Sequence, residues 1–141
     1  MIFRIQSFYY LCYIFNIIRH RYFIFKHFQN NFSNIFRIFI SREGYTPITA
    51  SDGIVCLEKL QQFKCDVILL DIMMAPMDGW ETLTRIKANP QTSSIPVIMV
   101  TGKSIEERER ETYGKMFYQY VVKPVRRSEL CEIVRNALDQ K

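Results

Sequence analysis

The first 40 residues contain no Ala, Val, Gly, Asp or Glu, although four of those five are among the commonest residues of globular domains. All five are encoded by codons that begin with G. The first of them to occur is Glu43, and ordinary composition follows at once. An A/T-rich stretch translated outside its frame would have this composition. Acid is therefore missing from a segment that carries Arg4, Arg19, Arg21, Lys26 and Arg37, while residues 41–141 hold 14 basic and 14 acidic side chains. The net charge of +5 thus belongs to the amino-terminal segment. The organised remainder is neutral and has no basic face for reading nucleic acid.

Other absences narrow the field further. The four cysteines, Cys12, Cys56, Cys65 and Cys131, form no CxxC pair and no metal-ligand spacing, so buried thiols in a reducing cytoplasm are expected. Nothing in the spacing of His20 and His27 asks for a metal site with Cys12. The longest apolar run near the start, Phe8 to Ile18, has eleven residues, whereas a membrane-spanning helix needs about 20. Small residues suited to signal cleavage do not follow it. With 141 residues one core is expected, with too little chain for a separate output domain.

What is present is punctuation. Thr46 to Thr49 reads as a short strand, and Asp52 caps a helix with Val55, Leu57, Leu60 and Phe63 as apolar members. Asp66 to Leu70 is a continuous apolar run, the mark of a parallel strand covered on both faces. Asp78 opens the next helix, with Glu81 completing a capping box and Leu83 and Ile86 facing inward. Pro96 to Val100 is a second buried strand, and Ser104 with Glu107 forms a capping box for a heavily charged helix. Tyr118 to Val122 is a third strand. Ser128 caps a last helix with a stripe of Leu130, Ile133, Val134, Ala137 and Leu138. Alternating strands and helices imply βαβ units and a parallel sheet with helices on both faces.

Binding sites in such sheets lie beyond the carboxyl ends of the strands. Three strands end there in residues that a buried strand does not otherwise want: Asp71, Thr101 and Lys123. If their strands are neighbours, spaced by about 4.8 Å, the three side chains converge within roughly 10 Å. Singly, each is explained as a turn residue, a loop starter or a solvated charge; jointly they are a candidate site.

The segments Val67-Ile-Leu-Leu-Asp71-Ile-Met-Met, Met77-Asp78-Gly79, Val97-Ile-Met-Val-Thr101-Gly102 and Tyr120-Val-Val-Lys123-Pro124 resemble the motifs of the response regulator receiver domain family of two-component signalling. The resemblance covers residues 44–141, with 30 residues from Asp71 to Thr101 and 22 from Thr101 to Lys123. It implies a flavodoxin-like (CheY-like) α/β fold, a doubly wound five-stranded parallel sheet in the order 2-1-3-4-5. It also implies that Asp71 accepts a phosphoryl group from a histidine kinase or histidine phosphotransfer protein, aided by the Lys123 charge and the Thr101 hydroxyl, with room left by Gly102. Tyr120 matches the family's switch aromatic, coupled to Thr101, and Lys123-Pro124 matches a peptide bond that is usually cis. The expected setting is cytoplasmic, with no nucleic acid, no membrane and no classical enzymatic role.

Two departures stand out. Ala75 intervenes before Pro76 in the loop after Asp71, with the interval to Gly79 kept. More seriously, the family's acidic pair after the first strand, which helps to hold Mg²⁺, falls by the family's interval on His27 and Phe28, beside Lys26. The remaining protein ligands that match the family are Asp71 and the main-chain carbonyl of Met73. Residues 1–40 therefore have three readings. They are an out-of-frame segment, a poor membrane anchor built on Phe8 to Ile18, or a divergent first strand at Tyr22 to Phe25 with a first helix whose Phe32, Ile35, Phe36, Phe39 and Ile40 fall at helical spacing and leave Ile38 outside.

Two further function classes follow from the same residues. A receiver fold that does not accept phosphate would serve as a protein-binding module, and the missing acidic pair favours it. A haloacid-dehalogenase-like phosphatase also uses an Asp nucleophile with Thr and Lys. It requires a second Asp two residues after the nucleophile, where this chain has Met73.

Overall fold

The computed structural model describes residues 21–26, 37–38 and 40–140. Its strands are β1 (Arg21–Lys26), β2 (Tyr45–Ala50), β3 (Cys65–Leu70), β4 (Val97–Thr101) and β5 (Gln119–Val122). Its helices are α1 (Gly53–Gln62), α2 (Gly79–Ala88), α3 (Glu107–Tyr113) and α4 (Arg127–Asp139), and residues 40–42 are helical ahead of β2. The strands form one parallel sheet in the order β2-β1-β3-β4-β5. Fold class and strand order agree with the expectation from sequence.

Alternation along the two apolar runs builds a core on each face of the sheet. On β3 and β4, Val67, Leu69, Ile98 and Val100 point to one side, where they meet Ile40 and the α4 residues Leu130, Ile133, Val134, Ala137 and Leu138. Ile68, Leu70, Val97 and Met99 point to the other, against Cys56 and Leu60 of α1 and Leu83 and Ile86 of α2. Each fully buried aliphatic side chain contributes about 1.5–3 kcal/mol of transfer free energy, and both faces collect it. This is why the runs are continuous in sequence rather than alternating with polar residues.

The first strand lies where the resemblance requires it. β1 pairs with β2 from Arg21↔Tyr45 to Lys26↔Ala50 and with β3 through Phe23↔Val67, Ile24↔Ile68 and Phe25↔Leu69. Ile40 is buried and Ile38 exposed, as the helical spacing predicts. Phe32, Ile35, Phe36 and Phe39, the run from Phe8 to Ile18, Cys12 and His20 lie outside the described residues.

Caps and helix ends correct several sequence readings. The Asp52 side chain accepts from the Val55 N–H at 3.0 Å as expected. Phe63, however, lies past the end of α1 in extended backbone and is exposed, and Cys56 fills the inward position instead. Asp78 caps α2 through the Glu81 N–H at 2.8 Å, but the Glu81 carboxylate turns to Arg85 at 2.6 Å rather than back to the cap. Ser104 caps nothing, because α3 begins at Glu107. Its box is displaced by two residues, with Glu109 accepting from the Glu106 N–H at 3.0 Å. Ser128 sits inside the first turn of α4, which starts from Arg126 without a side-chain cap.

Cys56, Cys65 and Cys131 are buried thiols outside any disulfide. Burial pushes the Cys56 thiol up to about 12 and the Cys131 thiol up to about 11, so both stay protonated and inert, in keeping with a packing role. No helix among the described residues is long and apolar enough to cross a membrane.

Position in the sheet decides where proline is tolerated. Pro47 sits in β2 at the sheet edge, whereas β1 is hydrogen-bonded on both sides. An Ile24→Pro change would remove a ladder donor in the middle of the sheet and leave an acceptor unmet. The expected loss is about 2–4 kcal/mol, from the lost bond and the unmet group together. Urea unfolding of the substituted and parent chains measures it. An unchanged midpoint would mean that residues 21–26 are not in the sheet.

Candidate functional site at the carboxyl ends of the strands

β3 delivers its last apolar residue, Leu70, into the core, so the next residue emerges at the carboxyl edge of the sheet. That residue is Asp71, which remains only 7% exposed. A carboxylate so enclosed needs partners, and it has them. Its Oδ2 accepts from the Lys123 ammonium at 2.9 Å, and its Oδ1 accepts from the Met73 N–H at 3.0 Å. Lys123 follows β5 directly, and its own N–H donates to the Thr101 carbonyl at 2.7 Å. That bond ties the lysine to the end of β4.

Thr101 is the last residue of β4 and is fully buried. Its Oγ1 lies 3.4 Å from the Lys103 N–H that donates to it. The parallel pairing of β3, β4 and β5 thus gathers Asp71, Thr101 and Lys123 at one edge, as their places at strand ends predict. A side chain at position 102 would meet no atom within 4 Å, so the space over Gly102 is open whether or not glycine stands there. The Lys123–Pro124 bond is cis, and so is Ala75–Pro76.

Gly79 is a positioning residue that sequence reasoning used only as part of a motif. A Cβ there would come within 2.6 Å of the Ile72 Cα and closer still to the Asp71 carbonyl. Its N–H donates to the Ile72 carbonyl at 3.0 Å. The first turn of α2 therefore lies directly on the backbone that carries Asp71, and no side chain fits between them.

Tyr120 lies on β5, paired with Met99. Its hydroxyl donates to the Lys103 carbonyl at 2.6 Å, and its ring lies 6.3 Å from that of Trp80. The hydroxyl is pushed above its ordinary value, by burial first and then by the Glu109 carboxylate. Lys103 acts in the opposite sense and Asp71 adds to the rise. Lys103 and Glu109 carried no signal in the sequence beyond belonging to a charged stretch.

Mg²⁺ requires near-octahedral oxygen coordination. Among the described residues no group of three or more His, Cys, Asp or Glu side chains could hold a metal ion. The donors matching the expectation are the Asp71 carboxylate and the main-chain carbonyl of Met73. Both Asp71 oxygens already accept, one of them from an ammonium. His27 and Phe28, on which the sequence reading expects the family's acidic pair to fall, offer no carboxylate and lie outside the described residues. The described residues supply too few oxygen donors to hold Mg²⁺ firmly.

The family model for the response regulator receiver domain matches residues 27–135, beginning inside the atypical amino-terminal segment. The N-terminal domain of a response regulator receiver protein from Methanoculleus marisnigri JR1 is 40% identical, with a TM-score of 0.67. The match covers 85% of this chain and 98% of that one. Protein PilG of Pseudomonas aeruginosa is 33% identical over 98 residues, 68% of this chain and 71% of that protein. The receiver domain of the sensor histidine kinase PA1611 from Pseudomonas aeruginosa PAO1, with a magnesium ion coordinated in its active-site cleft, shares the fold. Its TM-score is 0.72 at 22% identity, over 86% of this chain and 99% of that one. The chain spans 18%, 43% and 46% of the first three curated relatives it matches. A family match over most of its length, on a sheet that brings Asp71, Thr101 and Lys123 to one edge, means that this chain belongs to the response regulator receiver domain family of two-component systems.

Proposed function

We propose that Asp71 is the phosphoryl acceptor of a two-component phosphorelay, served by a sensor histidine kinase or a histidine phosphotransfer protein. The observation that carries this reading is the enclosed Asp71 carboxylate with the Lys123 ammonium 2.9 Å from its Oδ2. A carboxylate oxygen attacks phosphorus, the P–N bond to the donor imidazole breaks, and the imidazole leaves with the electron pair and takes up a proton. An aspartyl phosphate results. Such transfers depend on positioning and on stabilising charge at the phosphoryl oxygens. Lys123 supplies a fixed positive charge, Thr101 a hydroxyl donor, and the open space over Gly102 an approach. The switch role falls to Thr101 and Tyr120.

The signalling surface in this reading is the face of α3, β5 and α4. On its α3 and β5 side runs a groove of about 500 Å³, lined by Ile105, Arg110, Phe117 and Tyr118 among others, and Val122 is exposed on it. The module is cytoplasmic, acts through a protein partner and binds neither nucleic acid nor membrane. Receiver domains typically hold Mg²⁺ at the acceptor site. For this chain, with Asp71 and the Met73 carbonyl as the matching ligands, weak binding is inferred. A second reading, a receiver fold that binds partners without accepting phosphate, is favoured by His27 and Phe28 in place of the acidic pair.

Intact-mass measurement after incubation with acetyl phosphate separates the two. The phosphoacceptor reading expects one added phosphoryl group, absent in Asp71→Asn. It expects labelling to slow by about 100-fold in Lys123→Met, the scale of losing one preorganised charge donor. No labelling at any Mg²⁺ concentration selects the binding-module reading.

Replacing His27 and Phe28 together with Asp tests the ligand positions. The double variant should label faster than the parent at millimolar Mg²⁺, by about tenfold, since two added carboxylates complete a hard-cation site. Unchanged labelling would mean that positions 27 and 28 do not reach the site.

A further inference from the structure

Among the described helices, α3 is the one that buries no residue. A seven-residue helix without a buried face cannot be held by hydrophobic packing alone, so its attachments have to be identified individually. They converge on one carboxylate. Glu109 Oε1 accepts from the Trp80 indole N–H of α2 at 3.0 Å and from the Lys103 ammonium at 3.1 Å. Glu109 Oε2 accepts from the Glu106 N–H at 3.0 Å. Lys103 also pairs with Glu106 at 3.0 Å. One further tie is apolar: Tyr113, at the end of α3, stacks on Trp80 with centroids 4.5 Å apart and planes 7° from parallel.

A capping box accounts for the bond to Glu106 and for nothing else in this set. The indole donor comes from a different helix, the one whose first turn rests on the Asp71 backbone. The ammonium comes from the loop that links Thr101 to α3. The same loop residue accepts the Tyr120 hydroxyl through its carbonyl and donates its N–H to Thr101 Oγ1. Glu109 is thus the point at which α2, the loop after β4 and α3 are tied together, and Tyr120 is bonded to that loop.

We propose that Glu109 is a latch: a positioning residue that holds α3 and the Lys103 loop against Trp80, and whose release frees α3 and the Tyr120 hydroxyl together. The inference rests on the phosphoacceptor reading for its trigger alone. A phosphoryl group on Asp71 that recruits the Thr101 hydroxyl takes an acceptor from the Lys103 N–H and draws on the loop that Glu109 restrains. The latch itself is a property of the resting chain.

The test uses the full chain, three single variants and one double: Glu109→Ala, which removes every bond to that carboxylate; Glu109→Gln, which keeps an acceptor for the indole but not the charge; Trp80→Phe, which removes the indole donor and keeps a ring; and Trp80→Phe/Glu109→Ala. Amide hydrogen exchange is measured over residues 106–114 without any phosphodonor. Glu109→Ala should speed exchange there by about tenfold or more, the scale of losing hydrogen bonds to a charged group, with the amides of β3 and β4 unchanged. Trp80→Phe should speed it by about threefold, with Glu109→Gln between the parent and Glu109→Ala. The double variant Trp80→Phe/Glu109→Ala should match Glu109→Ala alone, since both changes break one network. Trp80 emission should shift in Glu109→Ala.

Parent-like exchange in Trp80→Phe would reduce Glu109 to a cap and overturn the latch, and so would exchange raised equally in β3. Acetyl phosphate then separates the two proposals. Raised exchange without labelling of any chain keeps the latch and removes the phosphoacceptor reading. Labelling of the parent with unaltered exchange in every variant does the reverse.

Discussion

A carboxylate enclosed at the end of an apolar strand is the constraint on which this structure turns. Asp71 follows four residues of β3 that are buried on both faces of the sheet, so the strand cannot slide to give the carboxylate more water without exposing its core. The group has to be paired where it stands. Pairing it with Lys123 fixes β5 beside β4, because the lysine can reach Oδ2 only from the carboxyl end of β5. Satisfying Oδ1 from the Met73 N–H fixes the turn after β3. Gly79 then lets α2 start directly on that turn. Sheet order, loop path and helix placement are consistent with one another because they meet at this side chain.

The parts of the fold built around Asp71 were therefore legible. Asp71, Thr101 and Lys123 read as a site because polar residues at the ends of apolar runs violate the local pattern, and such violations mark functional positions. The stripe of α4 was equally plain, since all five of its expected residues are buried. Less legible was whatever depended on a choice between similar side chains. Phe63 and Cys56 were exchanged on α1, because the helix ends one residue before Phe63 and apolar character alone does not say where a helix stops. Glu81 could have returned to its cap or gone forward to Arg85, and an ion pair one turn ahead took it.

β1 is a different case. Tyr22 to Phe25 could be proposed as a strand only because it is apolar, in a segment where nearly everything is apolar. The parallel register on both sides gives the strand its place, and no local signal in the sequence could supply that. α3 failed for the opposite reason. It has no buried residue and hence no periodic stripe, so its start was read from the nearest serine and set too early. Helices held by polar ties to other elements give little warning in sequence, since each tie is a tertiary contact.

Two lysines leave the carboxyl edge of the sheet, and the acids around them decide what each does. Lys123 meets Asp71 and is partly withdrawn from water. Lys103 meets Glu106 and Glu109, whose side chains raise its affinity for the proton and keep it charged but occupied. Asp71 and Lys123 compose a neutral pair at rest. An aspartyl phosphate would add negative charge to that pair without adding a cation. Asp71, Lys103 and Glu109 all act on the Tyr120 hydroxyl, so these groups share one neighbourhood. Asp71 and Glu109 thus each hold one of the two lysines, and the Tyr120 hydroxyl is the group on which both carboxylates act.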